Sequence, residues 1–168
     1  NRSDLSKGIL ETVTGETTWQ FNDGALTVNT PRSKGFVTHQ NAILATEGLQ
    51  ANLEEAPCSL SFHSLDGKPL TGSRRILVFL LTDVLNKGMT FDDDKKKMLN
   101  WGELPHLLRA GKATVTLRND QPLKAWAISA SGKRLESVPL EISGADRKAV
   151  LNQRLASGST LFCEWAVE

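Results

Sequence analysis

Apolar and polar residues alternate in short runs along most of this chain. Cys58–His63 is the clearest case. It sets Cys58, Leu60 and Phe62 on one face of a strand and Ser59, Ser61 and His63 on the other. Thr17–Phe21 and Ala25–Thr30 are two further strand-like runs around Asn22-Asp23-Gly24, which predicts a β-hairpin. Pro31 closes its second strand, because proline has no ladder donor. Gly35–His39 and Leu49–Leu53 read as the next strands, and Asp66-Gly67 as a tight turn. Arg75–Val84 is apolar on both faces. A central strand covered from both sides is the preferred reading, with a buried helix as the alternative that period alone leaves open.

Alternation returns in Lys112–Arg118, Leu123–Ile128, Arg134–Ile142 and Thr160–Val167, with turns at Ser131-Gly132-Lys133 and Ser157-Gly158-Ser159. Asn86–Pro105 shows no period and reads as a long loop, a place where function or mobility concentrates. Asp146–Leu155 is the best helix candidate. Short strands separated by turn signals roughly every 8–12 residues predict an all-β fold: a two-sheet antiparallel β-sandwich, jelly-roll-like, with little helix. Its expected core draws on Leu26, Val28, Leu60, Phe62, Val78, Leu80, Val115, Leu117, Trp126, Ile128, Phe162 and Trp165.

Composition narrows the function classes. At 168 residues the chain fits one domain, spanning 1–168, and a fold of that size holds a core without staples. Twenty basic against nineteen acidic residues argue against a nucleic-acid partner. The longest apolar stretch, Ile76–Leu81, falls far short of the roughly 20 residues a helix needs to cross a bilayer, so no membrane partner is expected. The chain opens Asn-Arg-Ser without an initiator Met or signal peptide, which suggests a piece of a larger enzyme. Cys58 and Cys163 either pair across neighbouring strands or remain buried free thiols; the second reading is preferred.

Catalytic chemistry is sought and not found. There is no phosphate loop, zinc spacing, calcium-hand loop or Gly-x-Ser-x-Gly context. His39, His63 and His106 are far apart and read as strand-face or loop histidines rather than metal ligands. Asp92-Asp93-Asp94 is followed at once by Lys95-Lys96-Lys97 and reads as a solvated tip rather than a cation site. No catalytic residue, metal or cofactor is therefore expected. The four tryptophans are more informative, because sugar rings stack their C–H faces on exposed indoles. Trp101 lies in the irregular segment and Trp19 on an early strand among threonines, whereas Trp126 and Trp165 have apolar neighbours that favour core packing.

Thr14-Gly15-Glu16, Trp19, Gly24–Val28 and Thr30-Pro31-Arg32 resemble the opening of a domain found after the catalytic barrel in large bacterial glycoside hydrolases. Ser64–Leu70, Ser73–Leu77, Asn86–Met89, Trp101–Pro105 and the ending Gly158–Trp165 are similar to the same domain in the same order. The resemblance spans nearly the whole chain. It implies a noncatalytic, carbohydrate-binding-module-like β-sandwich in an extracellular or cell-surface enzyme. Two roles follow: binding or positioning a polysaccharide, or a structural spacer that packs against the catalytic domain. An exposed aromatic beside a groove marks the first, an uncovered apolar patch the second. For the first role the expected residues are Trp101 as stacking platform, with Asn86, Asp92 and Asn100 as polar partners and Trp19 as second platform.

Overall fold

The structure, a computed structural model, describes residues 3–156 and 158–168. The strands run β1 (Ile9–Glu11), β2 (Thr17–Gln20), β3 (Ala25–Asn29), β4 (Ser33–Thr38), β5 (Ala42–Thr46), β6 (Leu49–Leu53), β7 (Cys58–Ser64) and β8 (Arg75–Leu81). A hairpin system follows, made of β9 (Asp83–Lys87), β10 (Thr90–Phe91), β11 (Met98–Asn100) and β12 (Glu103–Arg109). The chain continues through β13 (Lys112–Arg118), β14 (Lys124–Ile128), β15 (Arg134–Val138) and β16 (Leu140–Ser143). It closes with β17 (Asp146–Asn152), β18 (Arg154–Leu155), β19 (Gly158–Ser159) and β20 (Phe162–Ala166). A 3-10 turn at Leu5–Lys7 is the one helical element among the described residues.

Two antiparallel sheets form the all-β, sandwich-like fold expected from the pattern. The large sheet has the order β1-β2-β3-β4-β7-β8-β20-β14-β15, and the small one β16-β17-β13-β6-β5. Period-two alternation dictates their inner faces. Phe36, Leu60, Phe62, Ile76, Val78 and Trp165 from the large sheet share one buried cluster with Leu49, Leu53, Val115, Leu117 and Leu151 from the small one. Phe62 meets the fully buried Trp165 edge-on at 5.3 Å between ring centres.

β8 lies between β7 and β20, near the middle of the large sheet, so the Arg75–Val84 run is a central strand and not a helix. Its Ile76, Val78 and Leu80 are buried and its Leu77 and Phe79 half-buried. β8 ends at Leu81, and Val84 belongs to β9. Cys58 on β7 and Cys163 on β20 flank β8 on opposite sides, and both are buried free thiols. Two strand spacings, about 9.5 Å, separate β7 from β20, beyond the reach of a disulfide.

Four expectations are corrected. Asp146–Leu155 is not helical: Arg147, Ala149 and Leu151 are buried while Asp146, Lys148, Val150 and Asn152 are exposed, a strict strand period. Arg134–Ile142 is two strands rather than one. Pro139, with no N–H to donate, separates β15 in the large sheet from β16 in the small one. Leu26, Val28, Trp126 and Phe162 are half-buried on the outer face of the large sheet instead of in the core. Their neighbours Ala25, Ala125 and Cys163 take the inner positions. Finally, Gly158 and Ser159 form β19 instead of a turn; Ser157 lies outside the described residues.

Candidate functional site

Asn86–Pro105 is not a structureless loop. β9 pairs with β12 through Leu85–Leu107, Asn86–His106 and Lys87–Glu103, with a bulge between Glu103 and His106. β10 and β11 form a second, smaller hairpin beyond it. The whole is an arm that leaves the large sheet where β8 ends. The expectation of irregularity fails because the alternation in this segment is interrupted by two turns and a bulge, each of which resets the period.

Three of the expected site residues meet on this arm. Trp101 is 70% exposed. The Asn86 side-chain amide donates to the Trp101 carbonyl at 2.9 Å, and Asn86 Oδ1 lies 2.7 Å from His106 Nδ1. Asn100 Oδ1 accepts from the Gly102 N–H at 3.0 Å. Gly102 has φ +68°, and a Cβ there would sit 2.4 Å from the Lys87 carbonyl, so only glycine lets the two hairpins join. The polar groups of Asn86 and Asn100 therefore hold the backbone that presents Trp101.

Asp92 lies apart from these, at the arm tip. Its Oδ1 accepts from the Lys96 and Lys97 amides at 2.7 and 3.1 Å, and Lys95 takes the left-handed conformation at φ 54°. The Asp-Lys run is thus the turn that closes the tip, with one exposed Asp94–Lys96 ion pair at 2.9 Å. Trp19 is on another element. It is 47% exposed on β2, edge-on to Phe21, and stands in register with Leu10, Leu26 and Val37 in an apolar row across the outer face of the large sheet.

The exposed apolar residues of the arm were not among the expected site residues. Val84, Leu99, Leu104 and Leu107 are all at least half exposed on the same arm. At its base a cavity of about 250 Å³ is lined by Val84, His106, Leu108, Ile128, Leu161 and Phe162. Val84 pairs with Leu108 and Leu107 with Leu85, so the two face opposite sides of the β9–β12 hairpin and exposed apolar side chains stand on both sides of the arm. The signal lay in the sequence as leucines spaced through a segment that otherwise looks polar.

The remaining titratable clusters are structural in geometry. Glu164, buried on the outer face of the large sheet, accepts from Arg75 Nε and Arg134 Nε at 2.8 Å each. Burial pushes its carboxyl up, and the two arginines outweigh this and hold it below the ordinary range. His63 sits between the Ser33 and Ser61 hydroxyls and edge-on to Phe79, and burial lowers its pKa. Among the described residues no three His, Cys, Asp or Glu side chains come together to hold a metal. No described helix is long and apolar enough to cross a membrane. Comparison with family models, with curated proteins and with solved structures finds no match for this chain.

Proposed function

We propose that this chain is a noncatalytic accessory module of a glycan-degrading enzyme, and that it works as a spacer that seats its hairpin arm on the catalytic domain. The carrying observation is the arm itself. Trp101, Leu99, Leu104, Leu107 and Val84 are exposed there, while Asn86 is taken up by the Trp101 carbonyl and the His106 ring and Asn100 Oδ1 by the Gly102 N–H. Burying exposed leucine and tryptophan against a partner contributes about 1.5–3 kcal/mol per side chain. The enzyme class rests on the sequence resemblance alone, as does an extracellular or cell-surface setting.

Glycan binding is the second reading, favoured by one fact: an indole 70% exposed and held in place by Asn86. Affinity electrophoresis in gels cast with plant and algal polysaccharides separates the two, run with a Trp101→Ala variant and a Leu104→Ser/Leu107→Ser variant. The spacer reading expects no retardation in any gel, and a fall in hydrophobic-dye binding for both variants. Retardation that disappears in Trp101→Ala assigns the arm to polysaccharide. Dye binding equal to wild type in both variants overturns the spacer reading.

A further inference from the structure

A separate recess of about 620 Å³ is built from distant segments, and most of its charged side chains form no direct hydrogen bond or ion pair among the described residues. Its walls carry Glu16, Lys34, Glu47, Arg118, Asp120 and Thr71. Each comes from a different place: the turn before β2, strand β4, the β5–β6 turn, the end of β13, and the loops after β13 and before β8. Four backbone hydrogen bonds tie these segments together. They are Asn29 N–H to Glu16 O at 2.7 Å, and Arg118 N–H to Gly48 O, Asp120 N–H to Thr71 O and Leu70 N–H to Pro31 O, each at 2.8 Å. The buried Asn119 amide fastens the Asp120 loop further by donating to the Leu70 and Ser73 carbonyls.

The segments are tied together while their charges are not directly paired, Glu47 acting on the Lys34 ammonium only through space. Among the described residues the carboxylates of Glu16, Glu47 and Asp120 and the guanidinium of Arg118 make no side-chain hydrogen bond or ion pair within the protein. Lys34 is the sharper case. It is only 8% exposed, and its ammonium has one bonded partner, Asn29 Oδ1, with no carboxylate at ion-pair distance. A buried ammonium ordinarily finds a paired charge or several acceptors. Here its spare donor capacity lies on the recess wall.

We propose that this recess binds a neutral, polyhydroxylated ligand, a free sugar or the terminal unit of a glycan chain. Hydroxyls can both accept from Lys34 and Arg118 and donate to Glu16, Glu47 and Asp120, and a sugar ring carries several of them at fixed spacing. An anionic ligand would face three carboxylates and a cationic one the two basic groups. The volume lies within the range of roughly 300–1,000 Å³ usual for small-molecule sites. This site shares no residue with the hairpin arm, so it stands or falls independently of the docking role.

The test is an amide NMR titration of the whole chain with glucose, galactose and xylose, and with glucuronate and glucosamine as charged counterparts. Neutral sugars are expected to move the Gly48, Thr71 and Asp120 amides with a dissociation constant near the millimolar range. Lys34→Met and Glu47→Gln are each expected to weaken that binding about tenfold. Glu47 sits in an exposed turn, so its variant keeps the fold and the wild-type melting temperature if Lys34→Met does not. Neutral sugars that leave those amides unmoved at about 100 mM overturn the proposal. So does binding of the charged sugars alone, or Glu47→Gln binding as tightly as wild type.

Discussion

Arg134 lies over the Trp126 ring, with its guanidinium carbon 3.6 Å from the ring centre. The contact is held from below, because Arg134 Nε also donates to the buried Glu164 carboxylate at 2.8 Å. Glu164→Gln removes the charge partner of Arg75 and the nearer of two for Arg134, which keeps Glu168 at 3.9 Å. Both arginines are substantially exposed, which screens the loss, so the expected destabilisation is about 1–2 kcal/mol by denaturant melts. The sign in pH follows from a folded-state pKa held low. Its stabilisation is present above the ordinary value of 4.5 and is lost as pH falls below it; the variant's stability should change less over that acid range.

Asp66 is a carboxylate held by four donors. It accepts from the Ser64 hydroxyl at 2.9 Å, the buried Ser73 hydroxyl at 2.8 Å, and the Arg74 and Lys68 amides at 2.8 and 3.3 Å. Desolvation raises its pKa, and these bonds more than reverse that, leaving it well below the ordinary range. Asp66→Ala is expected to cost about 2 kcal/mol. In the wild type the contribution should fade as pH drops below about 3.8, the ordinary carboxylate value. A urea midpoint equal to wild type at neutral pH would show that water takes the carboxylate's place as acceptor for the four donors.

Neither cysteine should react in the native protein. Burial pushes the Cys163 thiol up to about 12 and also raises Cys58, against a smaller opposing pull from Arg109. A thiol reagent at pH 8 is expected to find no accessible group under native conditions and two after unfolding. Native labelling of either thiol within minutes would contradict the packing.

The tryptophans separate into two classes. Trp101→Ala should change stability by less than about 0.5 kcal/mol, as for exposed positions generally. Trp165→Ala should cost about 3–5 kcal/mol, because it opens a cavity in the shared core. Acrylamide quenching checks the same contrast: removing Trp101 should take away the most quenchable emission.

The isolated chain is expected to release no reducing sugar from glucans, xylans or galactans. Turnover that vanishes on one Asp or Glu substitution would assign it an activity of its own.

Local alternation determined most of the strands, the hairpin around Asn22-Asp23-Gly24 and the buried faces of β7, β8 and β13, because a strand's side-chain period is a property of its own backbone. It also placed Trp165 inside, whereas Trp101 lies in the segment without a period, and only the folded arm decides that it is exposed. Where the pattern is the same on paper but the partner differs, tertiary structure decided. Trp126 looks like Trp165 in sequence, yet its register with Glu164 turns it to the outer face. Asp146–Leu155 is the best helix candidate by sequence, yet pairing with β13 and β16 makes its Asp146–Asn152 part a strand. Asn86 and Asn100 were legible as neighbours of Trp101, but their service to its backbone was not, since it depends on two hairpins closing at Gly102. The recess around Lys34 left no trace in the sequence at all. Its residues lie from position 16 to position 120 and become neighbours only when two sheets meet, and side-chain coincidence across such separations is carried by the fold, not by any local period.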